Sequence, residues 1–467
     1  MAKFTALLKN EFIKSWSRIT VKLMIPLLIV ITAAVVCICS YSDRYFKSEL
    51  TWYYQSSGAD YSMQIRKAQE MKNPGYELEI EYYTFLQENN IPPYDFDWRY
   101  LAAAEIFRVD YPDRNNAKAV YPEAVRKEVL PIISEGDWKD GCRMLIKLMK
   151  EQGADKEEYW EYEYRLKNNY PFPETIDDML LWYNGLITSV RTSESRYSSC
   201  NEDDTKAALF QLDNHISINT ANYRSLISDT NPAEISSDLY ENLNSGITGF
   251  NIWTALNTSV SLIILICLFI SVIACSSVTS EYSSGTVKFL LIHPVKRWKI
   301  LMAKYFMCLL SGLIMTVVLF AVSMVVSVIV FGSSDLSAPY ICIENGEIAV
   351  KNSMVILIRS VLLSYVKVVV ITSLAFALST LIPNAAASSG ITMFAVLGGS
   401  LIVSLLKEML RQDWARYLFA ANMDLEKIIR GGSVFNGHTV GFAVAVLAVH
   451  TFVFMLIAWD AFTKKEI

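Results

Sequence analysis

Six stretches of this chain, at about residues 21–39, 253–278, 306–331, 354–382, 385–406 and 438–462, are almost continuously apolar. Crossing ~30 Å of hydrocarbon at 1.5 Å of rise per residue takes roughly 20 such residues in a helix, and each run is of that length. The chain is therefore predicted to cross a membrane six times. Its composition agrees: 467 residues that are 52% hydrophobic are too apolar for an ordinary soluble protein of this size. Lys9, Lys14, Arg18 and Lys22 lead into the first run in the manner of a signal peptide. The run's length and the lack of a small-residue cleavage site after Cys39 favour an uncleaved anchor.

Basic residues flanking spans tend to stay in the cytoplasm. The amino terminus, the stretch 279–305 with Lys288, Lys296, Arg297, Lys299 and Lys304, and the tail with Lys464 and Lys465 all fall on one side of a six-span arrangement. That side is expected to be cytoplasmic, with both termini there and the protein in the plasma membrane. The opposite side receives residues 42–251, which carry 36 acidic against 22 basic residues, a bias expected outside.

The expected fold class is an all-α polytopic membrane protein with six transmembrane helices, an amphipathic N-terminal interfacial helix and a large, mainly helical extracellular domain between the first and second spans. The boundaries read as an interfacial helix over 1–20, a first span over 21–41 and an extracellular domain over 42–252. A second span follows over 253–278, then a cytoplasmic loop over 279–305, a third span over 306–332 and an extracellular loop over 333–353. The fourth and fifth spans take 354–383 and 384–406, an extracellular loop 407–437, the sixth span 438–462 and a cytoplasmic tail 463–467. In the first segment Phe4, Leu7, Leu8, Phe12, Trp16 and Ile19 recur at helical spacing while Lys3 and Lys14 take the other face. Such a helix is expected along the inner membrane surface; the same charges also serve as a topogenic flank.

In the extracellular domain, helix formers and i, i+3, i+4 apolar spacing mark residues 62–71, 77–88, 121–130, 139–152, 156–167 and 176–191. Breakers such as Asn73-Pro74-Gly75, Pro92-Pro93 and Tyr111-Pro112 separate them. Aromatic clusters such as Tyr82-Tyr83 and Tyr159-Trp160 read as core packing, with a ligand platform as the alternative. Cys142 and Cys200 could pair outside the cell, but two cysteines make no disulfide framework. The cysteines in or beside spans behave as small apolar residues.

Between the second and third spans the chain reads Ser280-Glu281-Tyr282-Ser283-Ser284-Gly285-Thr286-Val287-Lys288-Phe289-Leu290-Leu291-Ile292-His293-Pro294-Val295-Lys296-Arg297. Gly285 suits a helix end, Val287, Leu290 and Leu291 give about two turns of apolar face, and Pro294 breaks that face and suits the start of the next helix. On pattern alone this is either a presented apolar ridge or a simple connector. Glu281, Gly285-Thr286, Leu290-Leu291, Pro294, Arg297 and Lys304 resemble the signature of type-2 ATP-binding-cassette exporter permeases, at the same place between second and third spans. The amphipathic start, the six spans, the large external insertion after the first span and the ending Ala461-Phe462-Thr463-Lys464-Lys465-Glu466-Ile467 are also similar to that family; the resemblance in sequence covers the amino-terminal helix and the second half of the chain and does not extend to residues 42–252.

The resemblance implies a permease that pairs with a second copy or a related chain and is driven by a separate nucleotide-binding subunit. Glu281, Gly285, Thr286, Leu290, Leu291, Pro294 and Arg297 would form the ATPase-coupling helix, with Leu290 and Leu291 as its apolar contact. The chain has no Gly-x-x-x-x-Gly-Lys-Ser/Thr phosphate loop, so no cofactor is expected in it, and ATP and Mg would be bound by the partner. Export of an antimicrobial peptide or drug is the first expectation for cargo.

Charges within spans are costly and often functional. Arg359 lies near the outer end of the fourth span and is expected to snorkel to headgroups. Lys367 lies deeper, and either faces a translocation path, along which Asn257 and Ser261 of the polar second span would also lie, or pairs locally with Ser364 or Thr372. His215, His293, His438 and His450 are scattered without metal-ligand spacing, and no His-Glu-x-x-His or Gly-x-Ser-x-Gly occurs, so neither an enzyme nor a metal site is expected. No nucleic-acid partner is expected either. The competing reading is a membrane-anchored sensor or scaffold whose external domain binds a ligand without transport.

Overall fold

The computed structural model describes residues 2–56, 58–94, 96–113, 116–173, 178, 183–184, 186–187, 190, 202–215, 252–283, 297–344, 347–409, 412–429, 433, 435 and 437–464. Among the described residues, six helices are long and apolar enough to cross a membrane: Ile19–Tyr45, Ile252–Ser280, Arg297–Phe331, Ser353–Leu381, Ala385–Lys407 and Val440–Lys464. The protein is an all-α polytopic membrane protein, with an additional helix, Ala2–Trp16, ahead of the first span.

All six spans contribute to one buried cluster. It contains Leu28, Ile266, Ile270, Met307, Met315, Ile371, Phe376, Val396 and Phe462. Gly312 lets the third and fourth spans close on one another, because a Cβ there would stand 2.8 Å from Val368 Cγ1. The Tyr365 hydroxyl donates to the Leu309 carbonyl at 2.7 Å, and Tyr305 and Ser373 share a hydrogen bond of 2.9 Å across the same pair of helices. The second span is not one regular helix: it breaks at Leu262 between Ile252–Ser261 and Ile263–Ser283. The Ser259 hydroxyl returns to the Ala255 carbonyl at 2.8 Å just before the break, the kind of back-bonding that bends helices.

Between the first and second spans stands a mainly helical domain. Its described helices include Ser62–Met71, Tyr76–Glu88, Trp98–Ile106, Glu123–Glu135, Trp138–Glu151, Lys156–Asn168 and Glu202–Asp213. Leu86, Ile91, Ile106, Ile133 and Leu145 fill its core around Trp98 and Tyr121. Local chemistry sets the helix starts. Asp97 caps Trp98–Ile106 by accepting from the Arg99 N–H at 2.9 Å, and Asp155 and Glu158 form a reciprocal capping box at Lys156. Cys142 carries a free, fully buried thiol that burial pushes up to about 12, and Cys200 lies outside the described residues.

Among the described residues, two β-hairpins accompany the helices. One, Val109–Asp113 with Asn116–Ala119, contains Pro112, which a two-stranded ribbon tolerates because half of each strand's N–H groups have no cross-strand partner. The other, Pro339–Glu344 with Glu347–Asn352, connects the third and fourth spans. Its Ile341 is buried among Tyr164, Tyr170 and Leu212, so the inserted domain rests on this hairpin.

Gly141 packs so closely on Trp98 that a Cβ would stand 2.1 Å from Cζ3. Gly141→Ala is expected to destabilise the inserted domain by about 1–3 kcal/mol or more, because backbone or ring must shift in a filled core. Limited proteolysis checks this: cleavage within the domain should accelerate relative to Gly58→Ala, a site with open space around it.

Candidate functional site

The coupling stretch predicted from sequence is bounded by two helices that the structure describes. Gly285, Thr286, Leu290, Leu291 and Pro294 lie outside the described residues. Glu281 is in the last turn of Ile263–Ser283, and its side chain also lies outside the description. Arg297 opens the third-span helix, and its Nη1 donates to the Thr463 carbonyl at 3.3 Å, tying the start of the third span to the end of the sixth.

The helix Ala2–Trp16 connects the two legs of this stretch. Leu8, Phe12 and Trp16 pack on the common core, and Phe4 meets Phe306 edge-on with ring centroids 6.3 Å apart. Trp16 Nε1 donates to Ser311 Oγ at 3.1 Å. Among these apolar residues stands Glu11, paired at 2.7 Å with Lys304 two turns into the third span; their side chains are 11% and 1% exposed. At the turn into the first span, Arg18 donates to Ser276 Oγ at 3.1 Å and Ser280 Oγ at 3.2 Å, at the end of the second span. A cation there also complements the partial negative charge of that helix end. One segment therefore grips the helix that enters residues 284–296 and the helix that leaves them. From sequence Lys304 reads as one of the flanking charges, and Glu11 carries only the signal that it follows Leu8 by three residues and shares its face.

The charges of the fourth span are also paired. Lys367 is the middle residue of the 29-residue helix Ser353–Leu381, and its Nζ lies 3.4 Å from Asp424 Oδ1. Arg359, eight residues earlier and on the same face, has Nη2 3.4 Å from Glu426 Oε1, a protein partner where headgroups were expected. Of the two hydroxyls considered for Lys367, that of Thr372 donates to the Val368 carbonyl at 2.6 Å. Both acids come from the connection between the fifth and sixth spans, which was expected to be an external loop and which folds back among the spans. It carries the short helices Phe419–Asn422 and Leu425–Ile429. Phe419 packs edge-on against Phe454, Ala420 lies over Gly399, and Leu425 and Ile428 bury against Val370, Ala443 and Leu447. Asn422 is fully buried. Its amide donates to the Arg416 and Leu418 carbonyls at 2.8 and 2.7 Å, and its oxygen meets His438 Nε2 at 2.8 Å. Burial, with Arg416 nearby, holds the His438 imidazole below its ordinary range.

Asn257 and Ser261 stand one turn apart on the exposed face of the second span, so they and Lys367 have different surroundings. Among the described residues, no group of three or more His, Cys, Asp or Glu side chains is arranged to bind a metal.

Comparison with known proteins places these features in a family. The chain is similar to the uncharacterized protein YhcI of Bacillus subtilis, 31% identical over 222 residues that make up 47% of this chain and 70% of that protein. It is also similar to the uncharacterized membrane protein YdbK of the same organism, 26% identical over 208 residues, 44% of this chain and 80% of that one. Residues 228–467, which hold the last five spans, the two helices that flank residues 284–296 and the paired charges of the fourth span, match the family described as protein of unknown function DUF2705, and the chain belongs to that family.

Proposed function

We propose that this protein is the permease subunit of an ATP-binding-cassette exporter, in which residues 281–297 dock into a separate nucleotide-binding subunit and ATP-driven closure of that subunit rocks the spans. The observation that carries this reading is mechanical. The helix Ala2–Trp16 and Arg18 bind both legs of the stretch through Glu11–Lys304, Trp16–Ser311 and the Arg18–Ser276/Ser280 contacts, so a push on that stretch moves the second and third spans together. A simple connector has no need of such bracing. On this reading the termini and the coupling stretch face the cytoplasm, the inserted domain faces outward, and ATP and Mg belong to the partner. Asn257 and Ser261, polar groups on an exposed face, would meet a second permease copy, a related chain or the cargo.

Affinity purification of the tagged protein in mild detergent, from cells carrying its native genetic neighbourhood, tests the proposal. The expected result is a stoichiometric nucleotide-binding subunit and ATP hydrolysis by the complex. A clean preparation that contains no such subunit would transfer the case to a ligand-binding sensor or scaffold.

A further inference from the structure

We propose that two copies of this chain pair side by side through the outward continuation of the first-span helix, as a short parallel coiled coil above the membrane. The helix runs unbroken over Ile19–Ser56, 38 residues and about 57 Å, and the hydrocarbon core takes roughly 20 of them, so its last turns stand outside the bilayer. On one face Val36 and Cys39 bury with Ala255 of the second span, and Ser40 is also buried. On the opposite face Ile38, Tyr41, Tyr45, Ser48 and Trp52 are all exposed, Trp52 at 68%. Their spacing alternates three and four residues, the a and d positions of a heptad, and a stripe of that period is matched by another helix rather than by a flat surface. An aromatic belt at the headgroups accounts for Tyr41 and Tyr45 but not for Trp52, seven residues and about 10 Å beyond Tyr45. The flanking charges name the partner. Arg44 and Glu49 take the g and e positions, five residues apart, and in a parallel pair that g of one helix meets that e of the other, giving two reciprocal ion pairs between identical chains. Parallel is the only orientation open to two copies inserted the same way up. Arg44 is exposed and donates to Ser40 Oγ of its own helix at 3.2 Å, which leaves the rest of its guanidinium for a partner.

The pairing places the second copy that the exporter reading calls for, but it needs no nucleotide-binding subunit, so the two proposals fail separately. The test uses the full-length chain carrying Cys37→Ser, Cys200→Ser and Cys342→Ser, in membranes of cells that express it alone, with one cysteine added and disulfide-linked dimer read on a non-reducing gel after mild oxidation. Ser48→Cys and Trp52→Cys would each face the same position of the second copy, and should give at least about fivefold more dimer than Asp43→Cys and Lys47→Cys, at the f and c positions of the same helix. With Ser48→Cys in place, Arg44→Glu should lower the yield about threefold or more, and adding Glu49→Arg should bring it back to within about twofold, which also shows that the chain tolerates charge changes here. Equal yields at the four positions overturn the coiled coil, and so does an exchanged pair that stays as low as Arg44→Glu alone. Dimers that form only when the native genetic neighbourhood is co-expressed overturn self-pairing and assign the face to a related chain. High dimer yield in a protein that purifies from its native neighbourhood with no nucleotide-binding subunit supports the pairing and counts against the exporter reading alone.

Discussion

Replacing Lys304 with methionine is expected to lower the stability of the purified protein by about 3–5 kcal/mol, the range for removing one partner of a buried ion pair. Methionine approximates the lysine stem in volume, so packing in the third span is largely kept and the loss falls on Glu11. Its carboxylate, 11% exposed and paired at 2.7 Å, would be left without its countercharge. Glu11→Leu combined with Lys304→Met should recover most of the loss, since an apolar pair of similar volume replaces a buried ion pair at little net cost. A thermal-shift measurement in detergent would show the single variant melting on the order of 3–5 °C lower and the double variant near the parent. Equal midpoints for all three would mean that the pair contributes nothing and that the helix Ala2–Trp16 is held by its other contacts.

The spans were readable because length and hydropathy report directly on the solvent that a helix must cross. Six runs became six helices, yet features set by tertiary contact were not readable in the same way. The third-span helix begins at Arg297, ahead of its apolar run, since Lys299 and Lys304 can be helical while their charges are satisfied elsewhere. Periodicity marked Phe4, Leu8, Phe12 and Trp16 as one face, but a membrane surface and the flank of another helix both accept an apolar stripe, and only Glu11 among them pointed to a protein partner. Lys367 and Arg359 were recognisable as costly, whereas Asp424 and Glu426 looked like loop acids because nothing local brings them to the fourth span. The second hairpin had a signal that was passed over: Asn345-Gly346 between alternating apolar residues is a strong short-range hairpin pattern. The domain helices starting at Ser62, Tyr76, Lys156 and Trp138 fell within a residue or so of expectation, since Pro, Gly and Asp mark their ends locally.

Leu290→Asp and Leu291→Asp are each expected to abolish productive contact with a nucleotide-binding subunit while leaving the permease inserted. Neither leucine is among the described residues, so the case combines their spacing with the bracing on either side of them. On a short helix, Leu290, Leu291 and Val287 make about two turns of apolar face, and a docking contact of that size depends on excluding water from it. An aspartate there must either enter the contact unpaired or hold it open, at about 2–3 kcal/mol, roughly 30- to 150-fold in affinity. The spans do not include these positions, so the yield and thermal midpoint of the permease alone should be unchanged. Leu290→Met, which keeps volume and polarity, should retain the partner, and this separates loss of the apolar contact from general disturbance of the loop. Arg18→Ala provides the contrast. It leaves the docking face intact and loosens the entry leg from Ser276 and Ser280, so the partner should still co-purify while ATP hydrolysis responds less to the permease. Full partner recovery and full ATPase activity in both aspartate variants would remove the coupling role from residues 281–297, and with it the main reason to read the helix Ala2–Trp16 and Arg18 as part of a transport machine.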